Sequence, residues 1–466
     1  MVEIGELIGI VATTLWSGYY LITNLQWYNY YLSRVLFHHH RPWEHLFYFI
    51  FPIVATLVSP IAGGSIPIVT ALLFFYRNRK GVTFTGRVTR FFIFLIMGMV
   101  GWLLLLPPPF SNLTPFLAVV VAYLFSSQFE KLLFLHYYRQ AQKRLAQIDP
   151  IVIGVTGSYG KTSIKNFIYQ LLAPHYKVYK TPKSVNTLKG IVKDINTSLP
   201  EGTQIYIVEM GARRPGDIRE IVELVRPHYS IMGRVGPQHL DYFRTLERVQ
   251  ATKREIFESD RLKGGFALEK VPHPKVTCIA KYIGNIESGL EGSRWELEID
   301  GKKERFFTPV LGGFQVFNIS LSIYTALQFL PLEQVKLGVA HLKPVPHRLQ
   351  PFWAGGKFII DDSFNGNLEG MIASFEMVRE WKGKKVVVTP GLVEVPVQFN
   401  REVARKINEI FDLAIVTGRL NREILMEEIT IPKVAVDGKE ELERVLAERV
   451  PAGSLVLFSN DFPDYL

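Results

Sequence analysis

The segment Ile153-Gly154-Val155-Thr156-Gly157-Ser158-Tyr159-Gly160-Lys161-Thr162-Ser163 carries the residue types that bind a phosphate chain. It follows a short apolar run and opens into a helical pattern from Ile164 to Leu172. Gly154, Gly157 and Gly160 let backbone N–H groups turn inward around phosphate oxygens. Lys161, with Ser158 and Ser163 beside it, supplies a point charge for the β- and γ-phosphates, and the Thr162 hydroxyl is a ligand for Mg²⁺. The strict nucleotide-loop spacing is not met, because Val155 stands where the first glycine would be. A glycine-rich turn with no nucleotide is the bland alternative, and it leaves the Gly-Lys-Thr triplet to coincidence.

Three other positions have chemistry in reach. Glu209 ends the apolar run Ile205-Tyr206-Ile207-Val208, and a carboxylate at a strand's carboxyl end beside a phosphate loop suits Mg²⁺. His239 lies just past another apolar run, where a lone histidine is ordinarily structural. Lys253 sits in the helical run Leu246–Glu258, where most lysines are solvated surface.

These residues need a scaffold, and the chain after Pro150 reads as one. Short β-type runs alternate with helical ones at Ile151–Val155, Lys177–Tyr179, Ile205–Glu209 and Tyr229–Arg234. That is the doubly wound α/β pattern, with ligands expected at the carboxyl ends of parallel strands. A second series at Phe358–Asp362, Lys385–Thr389, Leu413–Thr417, Val434–Val436 and Ser454–Phe458 predicts a smaller C-terminal α/β, Rossmann-like domain. Residues 261–310 read as an irregular or β-rich elaboration. The expected division is 1–130, a connector at 131–149, an ATP-binding domain at 150–340 and a C-terminal domain at 341–466.

Residues 1–130 read as a helical membrane region, with apolar runs at Leu7–Thr23, Phe91–Leu106 and Leu113–Ser127. The stretch His45–Tyr76 is interrupted by Pro52, Pro60, Gly63, Gly64 and Pro67. As one helix it would reach about 48 Å against a hydrocarbon core of ~30 Å, so two short spans hinged at 59–65 fit better. Arg34 and Arg41 flank one loop, and Arg77, Arg79, Lys80, Arg87 and Arg90 crowd the next. With the basic loops inside, about five spans result, with the N-terminus outside and everything from residue 131 in the cytoplasm. Four spans is the alternative, with His45–Tyr76 as one kinked segment. The net charge of +10 therefore points to anionic lipid rather than nucleic acid. The triple His38-His39-His40 fits an interfacial loop better than a metal site, since adjacent histidines cannot all face one ion from a helix. Phe129–Gln147 is an amphipathic connector. A single cysteine, Cys278, excludes an intrachain disulfide framework and a cysteine-based zinc site, and is expected to be buried.

Taken together, Gly154–Ser163, Asn186 with Gly190, Glu209-Met210-Gly211-Ala212 with Gly216, Val235-Gly236 with His239-Leu240, Lys253-Arg254-Glu255-Ile256, Gly312 to Asn318 and Arg348 to Asn365 resemble the Mur ligase family. These are ATP-dependent amide ligases of peptidoglycan precursor synthesis, and the resemblance covers residues 150–370 best. It implies a peptide ligase working through an acyl phosphate, with addition of D-Ala-D-Ala to UDP-MurNAc-tripeptide the foremost activity. It implies ATP and Mg²⁺ as cofactors, and a bacterial inner (cytoplasmic) membrane as the one the spans would cross. Gly157, Ser158, Gly160, Lys161, Thr162 and Ser163 would hold the phosphates; Asn318, Arg348 and Asp362 would bind the rest of the nucleotide. Thr162, Glu209, His239 and a carbamylated Lys253 would bind metal, Lys161, His239 and Lys253 would be catalytic, and Asn186 would meet the substrate.

Several positions depart from the family pattern. The family's N-terminal domain, which grips the UDP-sugar, has no counterpart, and apolar runs occupy its place. The Gly-His-Asn form of the adenine motif reads Gly313-Phe314-Gln315, and the Asn-Ala-Asn-Pro ending reads Asn365-Gly366-Asn367-Leu368. The usual Gly-Asp-Met-x-Glu-Leu-Gly stretch reads Thr389-Pro390-Gly391-Leu392-Val393-Glu394-Val395, and the late Lys-Gly-Ser-Arg reads Phe458-Ser459-Asn460-Asp461. These changes bear on the amine substrate more than on the ATP chemistry. Two alternatives stay open: a related ligase for another carboxylate, such as a poly-γ-glutamate or lipid-linked peptide, and a nucleotide-dependent membrane protein without ligase activity. The expected partners are a small-molecule or lipid-linked peptide substrate and membrane lipid, with other cell-wall enzymes as further candidates.

Overall fold

A computed structural model describes residues 3–37, 39, 41–78, 81–236, 243–364, 367–393 and 395–460. The chain divides into two compact units, Met1–Tyr137 and Tyr138–Leu466.

The first unit is helical. A capping box formed by Glu3 and Glu6 opens the helix Ile4–Trp27. The long apolar stretch breaks at Ser59, whose extended backbone separates Trp43–Val58 from Pro60–Arg77. The break follows from Pro60, whose ring disfavours helical backbone at the residue before it. The two helices approach closely there, since a Cβ on Gly63 would lie 2.4 Å from Thr56 Oγ1; the helix Ile4–Trp27 packs against the same break, where a Cβ on Gly9 would lie 1.9 Å from the Pro60 carbonyl oxygen. Trp16, Tyr20, Tyr48 and Phe74 form a buried aromatic cluster. Further helices run Gly86–Leu105 and Thr114–Ile148. The latter is continuous through residues 129–147, and the boundary between the two units falls within it.

By length and composition, Gly86–Leu105 and Phe110–Ile148 suffice to cross a membrane, whereas Trp43–Val58 and Gly63–Arg77 are shorter. By that measure the expected five spans reduce to two. The outer surfaces are nonetheless strongly apolar: Leu72, Met97 and Leu104 are 66%, 64% and 82% exposed. His39 is buried, with Nε2 3.0 Å from Asn24 Oδ1 and Nδ1 accepting from the Arg41 N–H; His38, His40, Arg79 and Lys80 lie outside the described residues.

The second unit is α/β. Its first sheet orders six parallel strands β2-β3-β1-β4-β5-β6. They are β1 (Ile151–Thr156), β2 (Val178–Lys180), β3 (Ile205–Glu209), β4 (Tyr229–Met232), β5 (Gly264–Ala267) and β6 (Val276–Cys278). β5 and β6 correct the expectation that residues 261–310 are an irregular or β-rich elaboration, because both extend the main sheet. Three antiparallel strands follow, β7 (Ile283–Gly289), β8 (Gly292–Ile299) and β9 (Lys302–Thr308). Cys278 is half-buried rather than buried, its thiol 3.4 Å from the Leu268 carbonyl.

The last sheet orders β10 (Gln350–Ala354), β11 (Lys357–Asp362), β15 (Leu455–Ser459), β12 (Lys385–Thr389), β13 (Leu413–Thr417) and β14 (Lys433–Val436). All neighbours are parallel except the edge strand β10, which is antiparallel to β11. β1 is central in the first sheet, with β3 on one side and β4 on the other. The chain leaves β1 toward one edge and later returns to build the other, so the carboxyl ends of β1, β3 and β4 border the crevice where such sheets bind ligands.

Candidate functional site

The phosphate loop emerges from β1 into the helix Lys161–Leu172, whose Ile164, Phe167, Ile168, Leu171 and Leu172 are buried at helical spacing. Gly160 caps that helix at φ +79°, and a Cβ there would sit 2.4 Å from Asn318 Oδ1. A side chain at Gly160 is therefore excluded both by backbone conformation and by space. The first-turn amides, from Gly160 to Ser163, have no helical acceptor and form an anion seat. The loop is held in shape by the Arg234 carbonyl, which accepts from the Ser158 and Tyr159 amides at 2.9 and 3.2 Å. Ser158 Oγ donates to the Gly236 carbonyl at 3.0 Å, and Ser163 is buried at the start of the helix.

Lys161 folds back over the loop, donating to the carbonyls of Gly157 (2.9 Å) and Ser158 (2.8 Å). Burial, aided by Arg348 and opposed by the favourable field of Glu209, lowers its pKa to about 8. Glu209, at the end of β3, is buried. Its Oε2 accepts from Thr162 Oγ1 at 3.0 Å and pairs with Lys165 Nζ at 2.9 Å; its Oε1 accepts from Asn186 Nδ2 at 3.1 Å. Asn186 also packs against Gly211, where a Cβ would lie 2.8 Å from its side chain.

Lys253 is buried at the end of the helix Leu246–Arg254. Burial first and the nearby Lys161 second lower its pKa to about 7, against the opposing fields of Asp217 and Glu255. Glu255 accepts from the Gly216 and Arg219 amides at 2.9 and 3.0 Å, so its charge is spent on the N-terminus of the helix Asp217–Val225.

Arg348, in the turn before β10, and Asp362, at the end of β11, are half-buried. Burial lowers the Arg348 pKa, opposed by Asp362 and Glu209, and the guanidinium lies over the Phe364 ring at 5.1 Å. Burial raises Asp362 to about 7, with Arg348 and a hydrogen bond from the Leu349 amide pulling it back. Arg234, from the loop after β4, pairs with Glu369 at 2.8 Å, joining the first sheet's crevice to the helix Leu368–Val378.

Thus Thr162 and Asn186 meet at Glu209, Asn318 backs the loop, Lys161 bonds to the Gly157 and Ser158 carbonyls, and Lys161, Lys253, Arg348 and Asp362 act through the field. His239 lies outside the described residues, as do Asn365, Gly366 and Glu394. Among the described residues no group of three or more His, Cys, Asp or Glu side chains gathers as a metal site. Thr162 and Glu209 are hard oxygen donors of the type Mg²⁺ selects. Lys165, Thr181 and Arg234 were not singled out from sequence. Lys165 reads as a surface lysine until its partner Glu209 is in place. Lys161, Lys165, Lys253 and Arg348 set against Glu209 leave the crevice rich in positive charge, which suits a polyphosphate.

Residues 155–326 match the Mur ligase middle domain. This chain carries a Mur ligase domain. The UDP-N-acetylmuramoyl-tripeptide--D-alanyl-D-alanine ligase of Bacillus subtilis (strain 168) is 26% identical over 343 residues, which cover 68% of this chain and 74% of that relative. The enzyme of the same name from Escherichia coli (strain K12) is 26% identical over 270 residues, 53% of this chain and 59% of that one. The chain thus spans less than two thirds of the E. coli relative. Among solved structures, MurF ligase from Thermotoga maritima in complex with ADP superposes with a TM-score of 0.58 at 25% identity, covering 70% of this chain and 80% of that one. MurF from Acinetobacter baumannii shares the fold with a TM-score of 0.61 at 20% identity, covering 70% and 77%. The Mur ligase domain therefore includes the phosphate loop from Val155, with Glu209, Lys253 and Asn318.

Proposed function

We propose that the protein is an ATP-dependent amide ligase that adds D-Ala-D-Ala to UDP-MurNAc-tripeptide through an acyl phosphate. The observation that carries this reading is the Lys161–Thr162–Glu209 constellation inside the Mur ligase match, beside relatives named for that reaction.

A carboxylate is a poor electrophile, so ligation begins with its attack on the ATP γ-phosphorus, giving the acyl phosphate and ADP. Lys161, released from the Gly157 and Ser158 carbonyls, balances charge on the transferring phosphoryl group. Thr162 and Glu209 would hold Mg²⁺, which supplies Lewis-acid neutralisation of the phosphates. His239 and a carbamylated Lys253 would hold a second ion. A Lys253 amine near pKa 7 supports carbamylation, since the neutral amine is the form that adds CO₂. Asn318 would face the adenine end, and Arg348 with Asp362 would close from the C-terminal sheet, excluding water from the reactive acyl phosphate. Asn186 would orient the acceptor. The incoming amine then attacks the acyl carbon, and the tetrahedral intermediate expels phosphate.

The helical unit anchors the enzyme in the cytoplasmic membrane in this reading, with the catalytic unit in the cytoplasm. Exposed apolar side chains such as Leu104 and the two long apolar helices support it. A second reading, a ligase for a lipid-linked or other peptide carboxylate, is favoured by the match beginning only at residue 155, after that unit. Phosphate release by the detergent-solubilised full chain, measured over a panel of acceptor and amine pairs, separates them. UDP-MurNAc-tripeptide with D-Ala-D-Ala should give the largest rate; activity confined to another acceptor would replace this assignment.

A further inference from the structure

Lys165 has no role in the mechanism above, yet it is the most deeply enclosed cation of the site. Its side chain is 1% exposed, with Nζ 2.9 Å from Glu209 Oε2 and 2.5 Å from the Lys183 carbonyl oxygen. That carbonyl belongs to a residue held at φ +46°, a left-handed conformation unfavourable for a lysine. The same loop reaches Glu209 twice more: Asn186 donates to Oε1 at 3.1 Å, and Thr181 Oγ1 accepts from the Glu209 amide at 3.1 Å. The helix after the phosphate loop reaches Glu209 through Thr162 and Lys165. One buried carboxylate is therefore gripped by the nucleotide helix and by the 181–187 loop, and among the described residues Lys165 alone bonds to both Glu209 and the loop backbone. A buried ion pair is a weak source of stability, so orientation is its better use.

We propose that Lys165 is a positioning residue that aims Glu209 beside Thr162 and locks that carboxylate to the 181–187 loop, so that the metal–nucleotide end and the acceptor end of the site adjust together. This rests on the Mg²⁺–ATP reading of the site. Lys165 touches neither reacting atom. It acts by fixing where the Glu209 oxygens point and by tethering the backbone that carries Asn186.

The test uses the full chain in detergent with Lys165→Met, Lys165→Arg, Glu209→Gln and the Lys165→Met/Glu209→Gln double variant. ADP binding is measured by calorimetry with and without Mg²⁺. Loss of an outer residue that orients a metal ligand weakens metal affinity about 10- to 100-fold, so Lys165→Met should cut the Mg²⁺-dependent gain in ADP affinity by at least about tenfold. Affinity without Mg²⁺ should stay within about twofold, and Lys165→Arg should recover part of the loss. In metal-free protein, the double variant should unfold no lower than the worse single variant, because the two side chains form one unit. The acceptor KM should rise along with the Mg²⁺ requirement. Equal losses with and without Mg²⁺, or unfolding losses that simply add, would overturn the proposal. A parent enzyme that released no phosphate would sink the ligase reading and leave the ADP-binding comparison intact as the test of Lys165.

Discussion

Replacing Lys253 by methionine should make the protein more stable and inactive at once. The side chain is 3% exposed, and burial together with Lys161 depresses its pKa from 10.5 to about 7. At roughly 1.36 kcal/mol per pH unit, that interval corresponds to about 5 kcal/mol, an upper bound on the cost of keeping the amine charged in the fold. The folded protein releases this proton near pH 7 and the unfolded chain near 10.5, so between those values the unfolded state holds one proton more. Stability therefore rises with pH across that window, and the full cost stands below pH 7. Methionine fills similar volume without the charge. In CO₂-free buffer at pH 6.5, Lys253→Met should raise the unfolding midpoint of the solubilised protein by about 4 °C when half of that bound is realised. The advantage should shrink steadily toward pH 10. Phosphate release should fall at least about 100-fold, as expected when a preorganised charge is removed from a reacting phosphoryl group, with partial rescue by added formate or acetate. A variant that is less stable at both pH values, or whose advantage does not shrink with pH, refutes the depressed amine; one as active as the parent refutes its place in the chemistry.

Lys161→Ala should reduce phosphate release by about 10²- to 10³-fold and leave the fold intact by circular dichroism, because its hydrogen bonds go to the Gly157 and Ser158 carbonyls of its own loop. Gly160→Ala should weaken ADP binding by at least about tenfold in calorimetry, since its Cβ would meet Asn318 Oδ1 at 2.4 Å with φ at +79°. Arg234→Ala should shift the unfolding midpoint by no more than about 2 °C, because the Arg234–Glu369 pair is 61% and 67% exposed on its two sides. Alkaline carbonate washing should leave the chain in the membrane pellet; recovery in the supernatant would remove the proposed anchor.

What could be read from sequence was local. The Gly-Lys-Thr turn and the strand-end Glu209 announce themselves within a few residues, because an apolar run ending in a charged or glycine-rich turn has few other meanings. The break at Ser59 was readable for the same reason, Pro60 being a constraint on its own neighbour. β5 escaped notice because Gly264 and Gly265 carry no β-branched side chain, and its pairing with β4 is a tertiary event. β10 contains Pro351, which argues against a strand except at an edge, where β10 lies. Lys165 could not be told from a surface lysine, since its burial depends on Glu209 and Lys183 arriving from other segments. The depression of Lys253 likewise comes from packing and from Lys161, neither of which its own helix reveals.

The central claim, that Lys161, Thr162 and Glu209 serve ATP-driven carboxylate activation, is tested most directly by following oxygen. The acceptor peptide would be labelled with ¹⁸O in its reacting carboxylate and turned over with ATP and the amine. One labelled oxygen should appear in each phosphate released, and none in phosphate from Lys161→Ala beyond its residual turnover. Phosphate carrying oxygen from solvent water instead, with the label left in the peptide, would mark the site as an ATPase and contradict the account.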